Sequence, residues 1–295
     1  MRFVTCRFEG RTTWGAVTED QSGVIDLGRR FPDLPDLSTA LETGRLTEAQ
    51  EAAGWSDADF GLADVDFERT IPRPGKIFCI GVNYGGRNAE YTDSTSSNKP
   101  SVFVRFPESL TGHQQPLIRP PESMQLDYEG EIVAVIGRQG RRIPQGQARQ
   151  YIAGLTLGNE GTIRDWLRHA KFNVTQGKNW QSSGSMGPWL VTLDEIGDFE
   201  DLRLQTYVNG QLRQDDTVAS MAFPIEFQIE YLSTFITLEP GDVIYTGTPT
   251  GAGARLDPPQ WLEPGDVIRV SVEEIGTLET PLKTRDPLES FTSTI

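Results

Sequence analysis

The stretch LDYEGEIVAVIG, residues 126–137, sets Glu129 and Glu131 two positions apart, directly before a continuous apolar run. In a strand, alternate side chains share a face. Both glutamates therefore point the same way as Val133 and Val135, while Tyr128, Gly130, Ile132 and Ala134 take the other face. On a wet face the two acids are simply solvated. On a buried face, two like charges about 7 Å apart do not both stay ionised without a cation beside them. Val133 and Val135 favour the buried face, and the strand alone leaves both readings open.

Which cation such a face would take is limited by the rest of the composition. The chain has only His113 and His169, and only Cys6 and Cys79 with no CxxC spacing. A metal site must then be built mainly from oxygen, which points to a hard cation such as magnesium, manganese or calcium. The two cysteines read as buried apolar thiols rather than as a disulfide framework. Lys and Arg number 27 against 42 Asp and Glu, a net charge of −15, which argues against nucleic acid or an anionic membrane surface as partner. No apolar stretch approaches the roughly 18–20 residues of a membrane span, and MRFVTCRFEG at the start lacks the apolar centre of a signal peptide. A cytoplasmic location is expected.

The elements that must position these residues follow from periodicity and breakers. Residues 1–71 open with alternating strand signals (RFVTCRF, TWGAVTE, GVIDLG) and pass into a helical, acidic stretch, LSTALETGRLTEAQEAAGW, giving a small N-terminal α+β domain. IPRPGK, residues 71–76, reads as a linker, so a second domain spans 72–295. That part is strand-dominated (KIFCIGV, SVFVRF, LDYEGEIVAVIG, LRLQTYVNG, DVIRVSVEEIGTL), with helical patterns at IPQGQARQYIAG, TIRDWLRHAKF and PIEFQIEYLSTF. Its loop GTPTGAG lacks the Lys-Ser/Thr of a P-loop and the strand–GxGxxG–helix setting of a dinucleotide site. Its amides and the Thr248 hydroxyl still offer a concavity for a carboxylate.

Four pieces, in this order, carry a resemblance: GVNYGGRNAEY (81–91), LDYEGE (126–131), GNEGTIRDW (158–166) with GK (177–178), and GDVIYTGTPTGAG (241–253). GSMGPWLVT (184–192) and VNGQLRQDDT (208–217) add to it. Together they resemble the fumarylacetoacetate hydrolase family over about residues 75–285. The resemblance implies a mixed α/β, β-rich fold with a rolled mixed β-sheet, a divalent cation (Mg2+ or Mn2+, with Ca2+ admitted) held by three carboxylates, 2-oxo or 2,4-dioxo acid substrates, and a homodimer.

Carried over residue by residue, the resemblance makes Glu129 and Glu131 metal ligands. The third ligand is usually the aspartate of an Asn-Asp pair, and here the pair is Asn159-Glu160. Glutamate keeps the charge and adds a methylene; without the resemblance Glu160 reads as an acid at a helix start. Lys178 matches a lysine whose ammonium neutralises enolate or carboxylate charge beside the metal, against the alternative of a solvated loop lysine. Thr248 is placed against the substrate carboxylate or is a turn threonine. Arg105 would meet an acidic substrate tail, and Tyr84 lines the pocket or packs in the core.

Hydrolytic members typically carry His and Glu three residues apart after the Asn-Tyr pair, and here the histidine position holds Arg87 while Glu90 remains. An arginine cannot act as the base, which leaves Glu90 to move the proton and Arg87 to bind a carboxylate or hold Glu90 ionised. His113, in a loop, is an open candidate for the missing base, whereas His169 reads as a helix-surface histidine. The expected activity is metal-dependent cleavage of a C–C bond in a 2,4-dioxo acid. The alternatives are isomerisation or decarboxylation through a metal-bound enolate, and a catalytically silent binding member of the family.

Overall fold

The computed structural model describes residues 1–54, 57–85 and 98–284. Its centre is the strand Gly130–Ile136, buried along its whole length. It pairs antiparallel with Ile152–Asn159 on one side and, over Val133–Val135, antiparallel with Val243–Tyr245 on the other. A strand enclosed in this way must be apolar on both faces. Ile132, Ala134 and Ile136 enter one core with Leu155, Leu157 and Ile244. Val133 and Val135 enter another with Ile77, Cys79 and Tyr245. The period of two in the sequence thus divides the run between two cores.

The large sheet continues from Ile152–Asn159 through Gly184–Thr192 to the N-terminal strands Arg2–Phe8, Arg11–Val17 and Gly23–Asp26. Arg2 lies opposite Val191 in that junction, so the N-terminal strands extend the same sheet that carries the glutamates. Beyond Val243–Tyr245 it runs on to Ile77–Gly81, paired in parallel, and to Ser101–Val104. The sheet is mixed, and the fold is mixed α/β and β-rich.

A second sheet, ordered Gln211–Thr217, Arg203–Val208, Val267–Val272, Gly276–Thr284 and Leu117–Arg119, packs Leu204, Val270 and Leu278 into the core that holds Ile132. It comes closest to the glutamate-bearing segment at Gly130, where a Cβ would lie 2.0 Å from Thr206 Oγ1 and 3.2 Å from Val270 Cγ1. Only glycine fits between the two glutamates.

PIEFQIEYLSTF folds as the helix Ile225–Phe235, burying Ile225, Ile229 and Leu232 at helical spacing. The acidic N-terminal stretch gives two helices, Leu37–Glu42 and Leu46–Ala53, parted at Gly44 with φ +68°. IPQGQARQYIAG and TIRDWLRHAKF depart from their periodicity. The first is a 3-10 helix, Gln145–Tyr151, and the second is a 3-10 turn, Arg164–Arg168, followed by a short helix, Val174–Lys178. Arg164 and Lys178 both reach buried acids, and that pairing bends the segment where local propensity would have kept it straight. Among the described residues no helix is long and apolar enough to cross a membrane.

Candidate metal centre

Glu129 and Glu131 flank Gly130 at the entry to the central strand, and Glu160 follows the antiparallel neighbour, whose Asn159 lies opposite Gly130. Glu160 N donates to Glu129 O at 2.7 Å, and Glu129 N donates to Asn159 Oδ1 at 2.9 Å. These two bonds hold the ligand-bearing segments together. One carboxylate oxygen from each of Glu129, Glu131 and Glu160 falls within 4.8 Å of the others, and all three side chains are buried.

Lys178 Nζ donates to Glu129 Oε2 and, at 3.0 Å, to Glu160 Oε2. Arg164 donates from Nη2 to Glu129 Oε1 at 2.7 Å and from Nε to Asp127 Oδ2 at 2.8 Å. Glu131 accepts from the Gly247 amide at 2.7 Å. Burial, then the charges of Glu160 and Glu129, push the Glu131 carboxyl well above the usual range, against the pull of Lys178 and the Gly247 amide. Burial would lower Lys178, but Glu129 and Glu160 outweigh it and hold the ammonium above its ordinary value. Among the described residues, the four acids Asp127, Glu129, Glu131 and Glu160 face the two cations Arg164 and Lys178. With all four acids ionised the group carries two more negative than positive charges, the amount a divalent cation would supply. Among the described residues Glu160 Oε1 is buried without a hydrogen-bond partner, and a hard cation among carboxylate oxygens would satisfy it. The residues present therefore fit such an ion.

The centre opens into a cavity of about 120 Å³, roughly the volume of four liquid waters. Glu129, Glu131, Glu160, Arg164, Lys178 and Thr248 line its polar side. Phe103, Leu167, Phe172 and Val174 are among its apolar lining, and the Lys178 ammonium lies 5.2 Å from the Phe103 ring centre.

The other expected residues are placed as follows. The hydroxyl of Thr248 gives its proton to Gly130 O at 2.8 Å, so toward the cavity it offers lone pairs and no proton. The loop amides beyond it, at Gly253 and Ala254, bind the protein's own Asp127 at 2.8 and 3.1 Å. The carboxylate this glycine-rich loop holds is therefore internal. Arg105, expected against an acidic substrate tail, is instead buried, its guanidinium occupied by Ser109, Gly161 O and Ser183 Oγ. It ties down the backbone next to Glu160.

Tyr84 is buried and bridges to Met221; its phenol has no hydrogen-bond partner among the described residues, and burial, then Glu131, raises its pKa well above the usual value. His113 is away from the centre: it lines a different groove, its Nδ1 accepts from Glu279 N at 3.0 Å, and its ring meets Phe67 edge-on. His169 stacks on Trp166. Arg87 and Glu90 lie outside the described residues. Both cysteines are buried and unpaired, and burial pushes the Cys6 thiol up to about 12.

The sequence reading missed Arg164 and Asp127. Their signal was present in the order Glu160-x-x-x-Arg164 and in an aspartate two residues before Glu129, but without a fold neither shows which acid it would meet.

With this geometry in view, the comparison with known proteins is direct. The model of the fumarylacetoacetate (FAA) hydrolase C-terminal domain matches residues 76–283. The chain belongs to this family. Among curated members, it is 35% identical over 306 residues to the oxaloacetate tautomerase YisK of Bacillus subtilis, covering 96% of this chain and all of that one. It is 34% identical over 259 residues to the mitochondrial oxaloacetate tautomerase Fahd2a of Rattus norvegicus, covering 87% and 82% of the two chains. Among solved structures, the fumarylacetoacetate hydrolase of Exiguobacterium antarcticum superposes with a TM-score of 0.80 at 30% identity, over 97% of this chain and 100% of that one. Members of the family thus include both tautomerases and hydrolases.

Proposed function

We propose that this protein is a divalent-metal-dependent tautomerase that interconverts the keto and enol forms of a small 2-oxo dicarboxylic acid such as oxaloacetate. The observation that carries the reading is the buried Lys178 ammonium, held between Glu129 and Glu160 at the wall of the cavity that Glu129, Glu131 and Glu160 line. Glu129, Glu131 and Glu160 would hold the ion. The ion's contribution, when bound, is Lewis acidity at the 2-oxo group. Lys178 places a second positive charge where the enolate oxygen develops, and burial makes that charge count for more than it would in water. Phe103 and Leu167 give the same cavity an apolar lining that limits bulk solvent around that charge.

Glu90 is proposed to move the proton and Arg87 to take a substrate carboxylate; both assignments come from the sequence motif. Arg87 at the usual histidine position supports tautomerisation over C–C hydrolysis. A guanidinium takes no proton from water, whereas the carbon beside a polarised carbonyl is acidic enough for a lone carboxylate. Similarity to two oxaloacetate tautomerases, over 96% and 87% of this chain, supports the same choice.

The test follows the decay of enol-oxaloacetate absorbance with the full chain in Mn2+ and in EDTA, beside pyruvate release from an acylpyruvate. Mn2+-dependent acceleration of enol decay is expected. Pyruvate release without enol turnover would replace the reading by hydrolysis, and no turnover in either assay would leave the silent binding member.

A further inference from the structure

We infer that Gln214 is a positioning residue for the metal centre: from the second sheet it clamps the peptide between Glu129 and Glu131 and so sets how the two carboxylates are presented. The inference rests on the metal reading above. Gln214 is 1% exposed and sits on Gln211–Thr217, whereas the glutamates belong to the large sheet.

Its Oε1 accepts from Gly130 N at 3.0 Å, and its Nε2 donates to Thr248 Oγ1 at 2.8 Å and to Pro249 O at 2.9 Å. The partners decide the orientation of this amide, because a peptide N–H only donates and a carbonyl only accepts. Having received a proton from Gln214, the Thr248 hydroxyl spends its own on Gly130 O at 2.8 Å. Both polar atoms of Gly130 therefore end on one closed ring formed with Gln214 and Thr248. Val243–Tyr245 pairs with the central strand over Val133–Val135 and Thr246 N still reaches Ile132 O at 3.1 Å; at Gly130 the amide bonds the Gln214 side chain instead.

Why a clamp is needed follows from the residue clamped. Glycine is the most permissive link in a chain, and here it joins two ligand-bearing residues. Any rotation about it swings the Glu129 and Glu131 side chains relative to each other. It is glycine because Thr206, the cross-strand partner of Gln214, leaves no room for a Cβ. The same pair of residues on the second sheet thus requires a flexible residue at 130 and removes its flexibility. Glutamine is the side chain that meets both demands, since a glutamate of the same shape has no proton for Thr248 or Pro249, and a leucine leaves Gly130 N unpaired.

Mn2+ is titrated calorimetrically into the full chain as wild type, Gln214→Glu and Gln211→Glu; the last adds the same charge at an exposed position of the same strand. Gln214→Glu is expected to weaken Mn2+ binding at least about tenfold, although its extra negative charge should attract the cation, and to melt lower in EDTA because it strands Pro249 O, while Gln211→Glu changes binding by less than about twofold and melts in EDTA near the wild type. Wild-type affinity in Gln214→Glu overturns the inference. Absence of Mn2+ binding to the wild type is a different result: it overturns the metal reading, and this inference with it. If Gln214→Glu does not fold, amide exchange in the metal-free wild type decides: the Gly130 amide is expected to be protected like that of Val133, and fast exchange overturns the clamp.

Discussion

Lys178 and Glu160 are joined by a bond of 3.0 Å between Nζ and Oε2, and the same ammonium also bonds Glu129. One buried cation thus links acids from two neighbouring strands. With Arg164, it supplies the positive charge that faces these acids among the described residues.

Lys178→Met should therefore lower stability in EDTA by about 3–5 kcal/mol, the cost of stranding buried acids, and Mn2+ should restore part of it through linkage. Tautomerase activity should fall by at least about 100-fold, the scale of losing one preorganised electrostatic contact. Thermal melts with and without Mn2+ check the first part. Equal melting of variant and wild type in EDTA would show that the ammonium is not what balances these acids.

Glu131→Gln removes a proposed ligand and, in the metal-free protein, a like charge beside Glu129 and Glu160. We expect opposite effects in two measurements: loss of Mn2+ binding by calorimetry, and a higher melting temperature than wild type in EDTA near pH 7, since burial, then Glu160 and Glu129, oppose ionisation of Glu131 in the folded state and a neutral amide escapes that cost. A variant that binds Mn2+ as the wild type does would take Glu131 out of the site.

Gly130→Ala puts a methyl group 2.0 Å from Thr206 Oγ1 and should cost about 1–3 kcal/mol. Because Thr206 Oγ1 has no hydrogen-bond partner, Thr206→Ala alone should cost less, and the double variant should recover much of the loss. Chemical denaturation of the four proteins in the cycle measures the coupling. Strict additivity would mean that the close approach of the sheets is not what excludes a side chain at 130.

His113 supplies the pH dependence. Burial pushes its pKa down to about 4, below the roughly 6.5 of an unfolded chain. The unfolded state therefore binds more protons between these values, so stability is full above about pH 6.5 and falls as pH drops toward 4. The whole effect is on the order of 3 kcal/mol. His113→Asn, which keeps an acceptor for Glu279 N, should lose less stability than wild type between pH 8 and 5 in urea denaturation. Equal losses in the two proteins would reject this account.

Much of this architecture is local and was legible in the chain. The alternation of Ile132 to Ile136, the helix at 225–235 and the oxygen-only ligand chemistry follow from side-chain period and composition, which need no partner to be read. The acids themselves, Glu129, Glu131 and Glu160, came from motif order, and the structure brings them into one buried cluster. The TIRDWLRHAKF stretch misled because its apolar spacing is helical, while two of the charges in and after it, Arg164 and Lys178, are drawn inward by acids more than 30 residues away in the first case and 49 in the second. Arg105 misled for a related reason, whereas Thr248 does line the cavity. A basic side chain at a pocket-like position looks available until its own backbone partners are known.

What the amino-acid sequence by itself determined is therefore the inventory: which residues can ligate a hard cation, which run can fill a core, and which family pattern they follow. What only the tertiary structure decided is who satisfies whom. Asp127, rather than a substrate, occupies the amides of the glycine-rich loop, and Gln214 from another sheet holds the peptide between the two glutamates. Those assignments depend on hydrogen-bonding capacity being spent once, across 84 positions in the case of Gln214 and Gly130. No local pattern in a chain records how a distant donor has been used.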